Sequence, residues 1–328
     1  MEKQVKEYGG FLPIELNLSC RNRKGYYDRY NLLSFNTVKA AIPLIKDDIK
    51  SETIYVPYYL CPNVIAEVKK NFRKVFFYNV NNDLLPVLDN LYGKIIYIVN
   101  YFGIMDKKIK RFVNINKKTT FIIDNAHSFY CKPVIRDNVY NIYSCKKFFG
   151  VADGGYLISE RIIQSPYKQS YSSSISHYLI KSLEEGTNSC YSEKKEIDDF
   201  LNNNYSGISF FSKELLSKID YKKIKDIRYR NFKIFHKTFK FINLIKCEKD
   251  CVPYVYPLNV GKNIKNELVK QKIYVPTLWN MNTDEKNISF ELWLKNNTLF
   301  LPLDQRYNVS DIEYVISVVK KLLETNNV

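Results

Sequence analysis

Glycine and histidine are scarce in this chain of 328 residues, and it has no long hydrophobic run. It contains 11 Gly and 3 His, whereas average usage would give about 23 glycines. The longest nearly uninterrupted apolar stretch, 95–105, is about half of the roughly 20 residues that a membrane-spanning helix needs. Residues 1–8 are charged rather than apolar. The sequence therefore predicts neither a membrane span nor a secretion signal.

The number and spacing of the cysteines argue against a disulfide-bonded or metal-binding protein. The seven Cys are odd in number and scattered, so we expect reduced thiols and a cytoplasmic location rather than a disulfide framework. Cys247 and Cys251 have no second ligand pair nearby, and no metal site is predicted. The chain also lacks Gly-x-Gly-x-x-Gly, Gly-x4-Gly-Lys-Ser/Thr, His-Glu-x-x-His and Gly-x-Ser-x-Gly. Nucleotide hydrolysis, classical dinucleotide binding and zinc peptidase chemistry thus lose their usual sequence evidence.

The net charge is strongly positive. With 50 Lys and Arg against 34 Asp and Glu, the formal charge is +16, which first suggests nucleic acid as a partner. However, the cations are spread along the chain, and Lys, Asn, Ile and Tyr are over-used together, as in proteins from AT-rich genomes. We therefore favour an anionic small-molecule substrate over nucleic acid.

Hydrophobic patterning predicts an α/β fold. Helical segments alternate with short apolar runs rich in β-branched and aromatic residues: helices at 37–45 and 62–71, strands at 53–56, 75–78, 95–99, 120–123 and 139–143. This alternation is typical of a mainly parallel central sheet flanked by helices on both faces. In such sheets the functional residues gather at the carboxyl ends of the strands.

The last third of the chain has a different pattern. A long basic and apolar helix is predicted at 220–241, followed by a strand (252–260), a helix (263–272), two strands (273–277 and 298–301) and a final helix (310–323). These elements predict a smaller α+β domain. We expect a large domain over 1–232 and a small domain over 233–328.

Two strand-end segments carry side chains suited to one kind of chemistry. An apolar strand ends in Asp124, with His127 close behind, and the next strand ends in Ser144, followed by Lys147 and Gly154-Gly155. A partly desolvated lysine can form a Schiff base with an aldehyde, and a carboxylate can keep a pyridine nitrogen protonated. Either residue alone would more often be a helix cap or a surface lysine. Together they make up the parts of a pyridoxal-phosphate site.

In these motifs the sequence resembles the sugar aminotransferases named for DegT, DnrJ, EryC1 and StrS, which have the type I fold of pyridoxal-phosphate enzymes. The specific part is the pair Asp-x-Ala-His and Lys-x6-Gly-Gly. The resemblance extends over nearly the whole chain, through the segments 9–16, 56–61, 99–103, 124–127, 147–155 and 301–307. It implies a large cofactor-binding domain with a smaller C-terminal one.

The resemblance implies a role for each residue of the central motif pair. Lys147 would form the Schiff base with pyridoxal 5'-phosphate, Asp124 would pair with the pyridinium nitrogen, and His127 would lie near the ring hydroxyl. Since neighbouring extended side chains point to opposite faces, only one of Lys146 and Lys147 is expected to enter the pocket, and the family spacing selects Lys147.

Further cofactor and substrate contacts are implied in the same way. The phosphate would be held by Ser144 and by a helix start whose N–H groups and dipole favour an anion, although Ser34 could equally be a simple N-cap. Tyr59 is the candidate for stacking on the ring, with Tyr27 to Tyr30 and Tyr101 as alternatives. The helix start comprises Ser34, Phe35, Asn36 and Thr37, and the available bidentate carboxylate binders are Arg306, Arg228 and Arg230.

The chain departs from the family pattern at two places. Phe35 is bulky where the family has a small residue after the phosphate-binding Ser. The segment 204–209 reads Asn-Tyr-Ser-Gly-Ile-Ser, whereas the family's partner subunit sends Asn-Tyr-Arg into the site. These departures leave open the alternative that the chain is a degenerate family member, which keeps the fold but acts as a binding or regulatory protein. A dehydratase on this fold has His in place of the Schiff-base lysine, and Lys147 argues against it.

From the resemblance we expect an aminotransferase that moves an amino group from L-glutamate to a nucleotide-linked keto sugar for surface polysaccharide synthesis. Lys147 would act as both acid and base. A homodimer is expected from the fold and from the aromatic content of 15%, with 202–209 near the partner's site.

Overall fold

The computed structural model describes residues 6–14, 24–281 and 288–325. Residues 15 and 16 of the segment 9–16, and Cys20 of the seven cysteines, lie outside this part of the chain. Within it, six cysteines are free thiols. No helix of the described residues is long and apolar enough to cross a bilayer. Among the same residues, no group of three or more His, Cys, Asp or Glu side chains could hold a metal ion.

The described residues form strands and helices in the following order. The strands are β1 (Tyr8–Gly9), β2 (Leu32–Phe35), β3 (Thr53–Pro57), β4 (Lys74–Val80), β5 (Pro86–Val87), β6 (Ile95–Val99), β7 (Thr120–Asp124), β8 (Val139–Ser144), β9 (Gly155–Ser159), β10 (Tyr256–Asn259), β11 (Ile273–Tyr274) and β12 (Thr298–Leu301). The helices are α1 (Ala41–Ile49), α2 (Pro62–Asn71), α3 (Asp106–Ile115), α4 (His177–Glu185), α5 (Tyr191–Asn203), α6 (Phe210–Lys218), α7 (Tyr221–Phe239), α8 (Lys265–Lys270), α9 (Ser289–Asn297) and α10 (Val309–Thr325).

A mostly parallel sheet forms the centre of the molecule. Its eight strands lie in the order β2-β9-β8-β7-β6-β3-β4-β5, and the pairs from β4 through β3, β6 and β7 to β8 are parallel. Every residue of β6, β8 and β9 is buried, as expected where helices cover both faces of such a sheet. The predicted α/β class is confirmed.

The edge strand β5 is antiparallel to β4, and in the interior of the sheet the strand that runs against both of its neighbours is β9. It is antiparallel to both β8 and β2, so β2 points the same way as β8. The carboxyl ends of β2, β3, β6, β7 and β8 therefore meet at one edge of the sheet. The sequence pattern predicts a single helix over 37–45, but the chain there forms a 3₁₀ turn (Val38–Ala40) followed by α1, and β2 comes directly before them.

Side-chain caps fix the start of two helices behind this edge. Ser209 accepts the Ser212 N–H at the start of α6, and Asp220 accepts the Lys223 N–H at the start of α7. Asp153, immediately before the glycine doublet, accepts both the N–H and the hydroxyl of Ser209, at 2.8 and 2.6 Å. The loop after β8 is thereby tied to α6.

The C-terminal elements, β10 to β12 and α8 to α10, are called the C-terminal module here. β10 and β12 are antiparallel, and α10 packs on α7. The two-residue strand β1 pairs in parallel with β11, Tyr8 opposite Ile273 and Gly9 opposite Tyr274. Because α7 continues through residue 232 without a break, no loop marks a boundary there, and the division into 1–232 and 233–328 stays a prediction.

Candidate active site

A cavity of about 830 Å³ lies at the carboxyl edge of the sheet. The ends of β6, β7 and β8 contribute Val99, Asp124 and Ser144 to its wall, and α5 contributes Lys194 and Asp198. Further parts of the wall come from residues 9–12, 37–39, 61–64 and 146–147 and from residues of the C-terminal third of the chain. The volume is typical of pockets that bind small molecules. The two strand-end segments singled out from the sequence thus border one cavity.

Asp124 is the buried acid of the cavity. Its side chain is 7% exposed, and its two carboxylate oxygens accept the Ala126 N–H at 2.9 Å and the Tyr97 hydroxyl at 2.7 Å. Burial raises the pKa of Asp124 above its ordinary value, while these two hydrogen bonds and the charge of Lys147 oppose the rise. A cation placed against this carboxylate would favour its charged form.

The His127 ring packs against aromatic side chains. Its ring is nearly parallel to the rings of Tyr254 and Trp279, with centroids at 5.2 and 5.4 Å, and the Phe102 N–H points at Nδ1 at 3.4 Å. Burial, with a further contribution from Lys147, lowers the pKa of His127 well below its usual 6.5. The surroundings of His127 thus favour its neutral form, and its side chain borders the cavity.

Both neighbouring lysines border the cavity, which differs from the expectation that only one enters. Residues 146–148 form a turn instead of continuing β8, so the alternation of extended side chains does not apply. The Lys146 amine is held by Asp198 at 2.5 Å. The Lys147 amine lies 5.1 Å from the centre of the Tyr254 ring and has no carboxylate within ion-pair distance in the described part of the chain. The two lysines are thus distinguished by their partners.

Residues 37–39, here called the strand-end turn, pack closely on Gly155, the residue that pairs with Ser144. In the sheet, Gly155 pairs with Phe35 on one side and with Ser144 on the other. A Cβ at Gly155 would collide with the backbone of Thr37 and Val38, so glycine is required for this approach. Among the described residues, the Ser144 hydroxyl has no hydrogen-bond partner. The strand-end turn and Ser144 therefore present unpaired donors to the same cavity.

The three residues before this turn do not reach the cavity, in contrast to the expectation for the phosphate. Ser34 lies within β2 and caps no helix. Phe35 is fully buried in the core, edge-on to Tyr167, which explains why a bulky residue is tolerated there. Asn36 donates from its side chain to the Asn204 carbonyl at 2.6 Å. Only the last residue of the predicted segment, Thr37, borders the cavity.

Tyr59 is also placed differently from its expected stacking role. Its side chain is fully buried, its hydroxyl donates to the Leu278 carbonyl, and it does not border the cavity. The same holds for the alternative Tyr101, whose hydroxyl donates to the Tyr59 carbonyl at 2.7 Å, and for Tyr27, whose hydroxyl donates to the backbone at Phe129. The aromatic rings nearest to Lys147 and His127 are those of Tyr254 and Trp279.

The three candidate arginines are engaged within the protein. Arg306 makes a bidentate pair with Asp304, at 2.8 and 2.9 Å, and donates to the carbonyls of Gly9 and Phe11. Arg228 borders the cavity but is fully buried, and it donates to Gln305 and to backbone carbonyls. Neither guanidinium group is therefore positioned to make two parallel hydrogen bonds to a substrate carboxylate.

Arg230 is the third, and it lies at the protein surface away from the cavity. It lines a shallow depression with Asp220 and Asp226, and its guanidinium donates to the Asn231 side chain and the Tyr307 carbonyl. Its expected contact with a donor carboxylate is not supported by this position.

Tyr254, Trp279 and Lys39 were not predicted as site residues from the sequence. All three border the cavity, and Trp279 is one of only two Trp in the chain. Tyr254 and Trp279 come from the C-terminal part, where no motif marks them. Lys39 lies two residues after Thr37, the last residue of the predicted phosphate-binding segment. Nothing in the sequence pattern indicates that its side chain is buried.

No family model matches the chain, and no curated protein matches it. Solved structures of DegT/DnrJ/EryC1/StrS sugar aminotransferases are similar over most of its length. A putative sugar aminotransferase from Streptococcus pneumoniae in its PMP form superposes with a TM-score of 0.66 at 14% identity, covering 97% of this chain and 99% of that one.

Two further structures agree. PseC from Helicobacter pylori, an aminotransferase involved in the biosynthesis of pseudoaminic acid, gives a TM-score of 0.64 at 14% identity, covering 98% of this chain and 100% of that one. A DegT DnrJ EryC1 StrS aminotransferase from Brucella abortus gives 0.59 at 13% identity, covering 89% and 85%. The chain therefore has the type I fold of these aminotransferases.

Proposed function

We propose that the protein is a pyridoxal-phosphate-dependent aminotransferase of the DegT/DnrJ/EryC1/StrS family. The observation that carries the proposal is the convergence of Lys147, Asp124 and Ser144 on one cavity at the carboxyl edge of the sheet. The fold supports it, since the similar structures include one in a PMP form and one in a PLP form.

The residues present fit this cofactor at both of its charged ends. Asp124 is a buried carboxylate whose charged state would be favoured by a pyridinium nitrogen. At the other side, Ser144 and the strand-end turn offer unpaired donors suited to a phosphate. The cofactor, when bound, supplies an aldehyde and an electron-accepting ring.

Each residue then has a defined task. Lys147 would hold the aldehyde carbon and, once displaced, move a proton as base and acid. Tyr254, 5.1 Å from the Lys147 amine, would limit the positions that this amine can take. His127, kept neutral by its surroundings, would offer an uncharged polar edge to the ring.

The substrates we infer are an amino-acid donor, L-glutamate, and a nucleotide-linked keto sugar used for surface polysaccharide. Both are anions, and Lys194, Lys195 and Lys265 border the cavity, so electrostatic steering favours them. The involvement of the Helicobacter pylori protein in pseudoaminic acid biosynthesis supports a sugar acceptor. We place the reaction in the cytoplasm.

We further propose a homodimer built on the segment 168–211. The Gly207 N–H donates to the Lys168 carbonyl and the Phe210 N–H to the Ser170 carbonyl, which brings exposed Tyr171 next to exposed Phe210. Asn202 on the same segment borders the cavity. Large apolar side chains left in solvent beside a site favour a protein interface.

A second candidate is a family member that keeps the fold and the cofactor without transamination. The engagement of Arg306 by Asp304 favours it, because the donor carboxylate then lacks its usual kind of partner. Glutamate-dependent loss of the cofactor's visible absorbance distinguishes the two, since only an active aminotransferase shows it.

Borohydride reduction of the protein with bound pyridoxal 5'-phosphate, followed by peptide mapping, tests the assignment of the lysine. We expect the label on Lys147, and we expect Lys146→Arg to be labelled like the wild type, since Lys146 is already paired with Asp198. A label on Lys146 would show that the assignment is one residue off. Absence of any label, together with no response to glutamate, would refute the proposed function.

A further inference from the structure

Lys39 is a buried cation without a partner. The residue is 8% exposed, and its amine makes no ion pair or hydrogen bond with any described residue. Glu67 and Asp199 influence it electrostatically from beyond ion-pair distance, and burial lowers its pKa. The Glu67 carboxylate is already engaged by Asn71 and Tyr205. A buried charge without a counterion lowers the stability of the folded protein. An anionic ligand is therefore the natural candidate for the partner of Lys39.

The position of Lys39 identifies the kind of anion. It is the last residue of the strand-end turn and borders the cavity together with Thr37 and Val38. The backbone N–H groups of these three residues have no hydrogen-bond partner in the described part of the chain. Ser144 lies two strands away, across Gly155. An amine, a hydroxyl and a row of backbone N–H groups form the donor set that a phosphate needs.

Three other cations at the cavity, Lys146, Lys194 and Arg228, already have partners within the chain. Lys146 and Lys194 share Asp198, and Arg228 is surrounded by carbonyl groups. The segment that supplies an arginine from the partner in the resembling family has Ser206 at that position, and its backbone is bonded to Asn36 of the same chain at 3.0 Å. Thus the phosphate has no arginine from this segment.

We propose that Lys39 supplies, from within the same chain, the cation that binds the cofactor's phosphate. This inference rests on the proposed function. The phosphate carries about 1.5 to 2 negative charges near neutral pH, so an ammonium group beside it completes a site otherwise made of neutral donors.

The test compares two aldehydes that differ only in the phosphate. The dissociation constants of pyridoxal 5'-phosphate and pyridoxal are measured for the wild type, Lys39→Met and Lys39→Arg. We expect Lys39→Met to weaken binding of pyridoxal 5'-phosphate about 10- to 100-fold, as for loss of a charge-assisted hydrogen bond, and to leave pyridoxal binding nearly unchanged. Lys39→Arg is expected to recover most of the loss.

Lys70→Met is the matched control. Lys70 is exposed on α2 and lies close enough to influence Lys39 electrostatically, but it does not border the cavity, so the same loss of charge is expected to leave both constants unchanged. The apo form of Lys39→Met is expected to be at least as thermally stable as the wild type, because an unpaired buried charge has been removed.

Three results would overturn the assignment. Equal weakening of both aldehydes by Lys39→Met would indicate a general distortion of the site. Unchanged binding of both would show that the phosphate does not contact Lys39. A wild-type protein that binds neither aldehyde would refute the proposed function itself, whereas normal binding with no effect of Lys39→Met would refute the role of Lys39 alone.

Discussion

Replacing Asp124 by Asn separates a cofactor role from a structural one. The present carboxylate accepts one hydrogen bond on each oxygen, from Ala126 and Tyr97. An Asn can keep both contacts, since its oxygen can accept the Ala126 N–H while its amide donates to the Tyr97 oxygen after the hydroxyl rotates. The free energy of unfolding should therefore change by no more than about 1 kcal/mol.

The effect on the reaction is expected to be far larger. For unit charges about 4 Å apart at an effective dielectric of about 20, the attraction is about 4 kcal/mol, which corresponds to roughly a thousandfold in rate. If the cation facing Asp124 is the pyridinium nitrogen, Asp124→Asn loses this attraction and the ring accepts electrons less well. We expect the variant to fold, to bind the cofactor and to react about a thousandfold more slowly.

The measurement combines the thermal midpoint with the rate of the glutamate half-reaction, followed by the absorbance of the bound cofactor. Asp106→Asn is the matched control, because Asp106 accepts hydrogen bonds from Asn100 and Ser128 near the same edge of the sheet without bordering the cavity. Its rate is expected to match that of the wild type. Normal stability and a normal rate for Asp124→Asn would remove Asp124 from the site.

Three further predictions concern pH, the arginine pair and assembly. The pKa of His127 is lowered in the folded state, so just below pH 6.5 the unfolded chain binds a proton at this residue and the folded chain does not. The free energy of unfolding therefore decreases as the pH falls, by at most about 1.4 kcal/mol per pH unit. His127→Gln should reduce the shift in thermal midpoint between about pH 7.5 and about pH 5.5, and an unchanged shift would contradict this. Arg306→Met leaves Asp304 buried and unpaired and should lower the free energy of unfolding by about 3 kcal/mol in urea titrations. A loss below about 1 kcal/mol would show that this ion pair contributes no more to stability than an exposed one. Sedimentation should show a dimer that Phe210→Asp dissociates with loss of activity, and a dilute monomer with full turnover would refute the interface.

The central part of the fold was predictable because burial and sequence pattern coincide there. The helix at 62–71 and the strands at 95–99 and 298–301 have the predicted bounds, since each is a regular element with a continuous or periodic apolar pattern. By contrast, β2 was taken for the start of a helix. Its four residues are only partly buried except for Phe35, and its extended state depends on pairing with β9, which is 120 residues away in sequence.

The site was predictable where chemistry follows directly from a strand end. Asp124 and Ser144 are the last residues of their strands, and both border the cavity. The arginines were not predictable, because a local pattern does not show whether a guanidinium already has a partner such as Asp304. Lys39 was missed for the converse reason: its lack of a partner results from packing among segments far apart in the chain.

The pairing of β1 with β11 bears on when the cavity can form during synthesis. Gly9 and Tyr274, opposite each other in this pairing, both border the cavity. They are separated by more than four fifths of the chain, so the ribosome must release residue 274 before this wall can close. The central sheet, complete at residue 159, can assemble much earlier. A nascent chain would thus expose the Lys147 side of the cavity before its opposite wall exists.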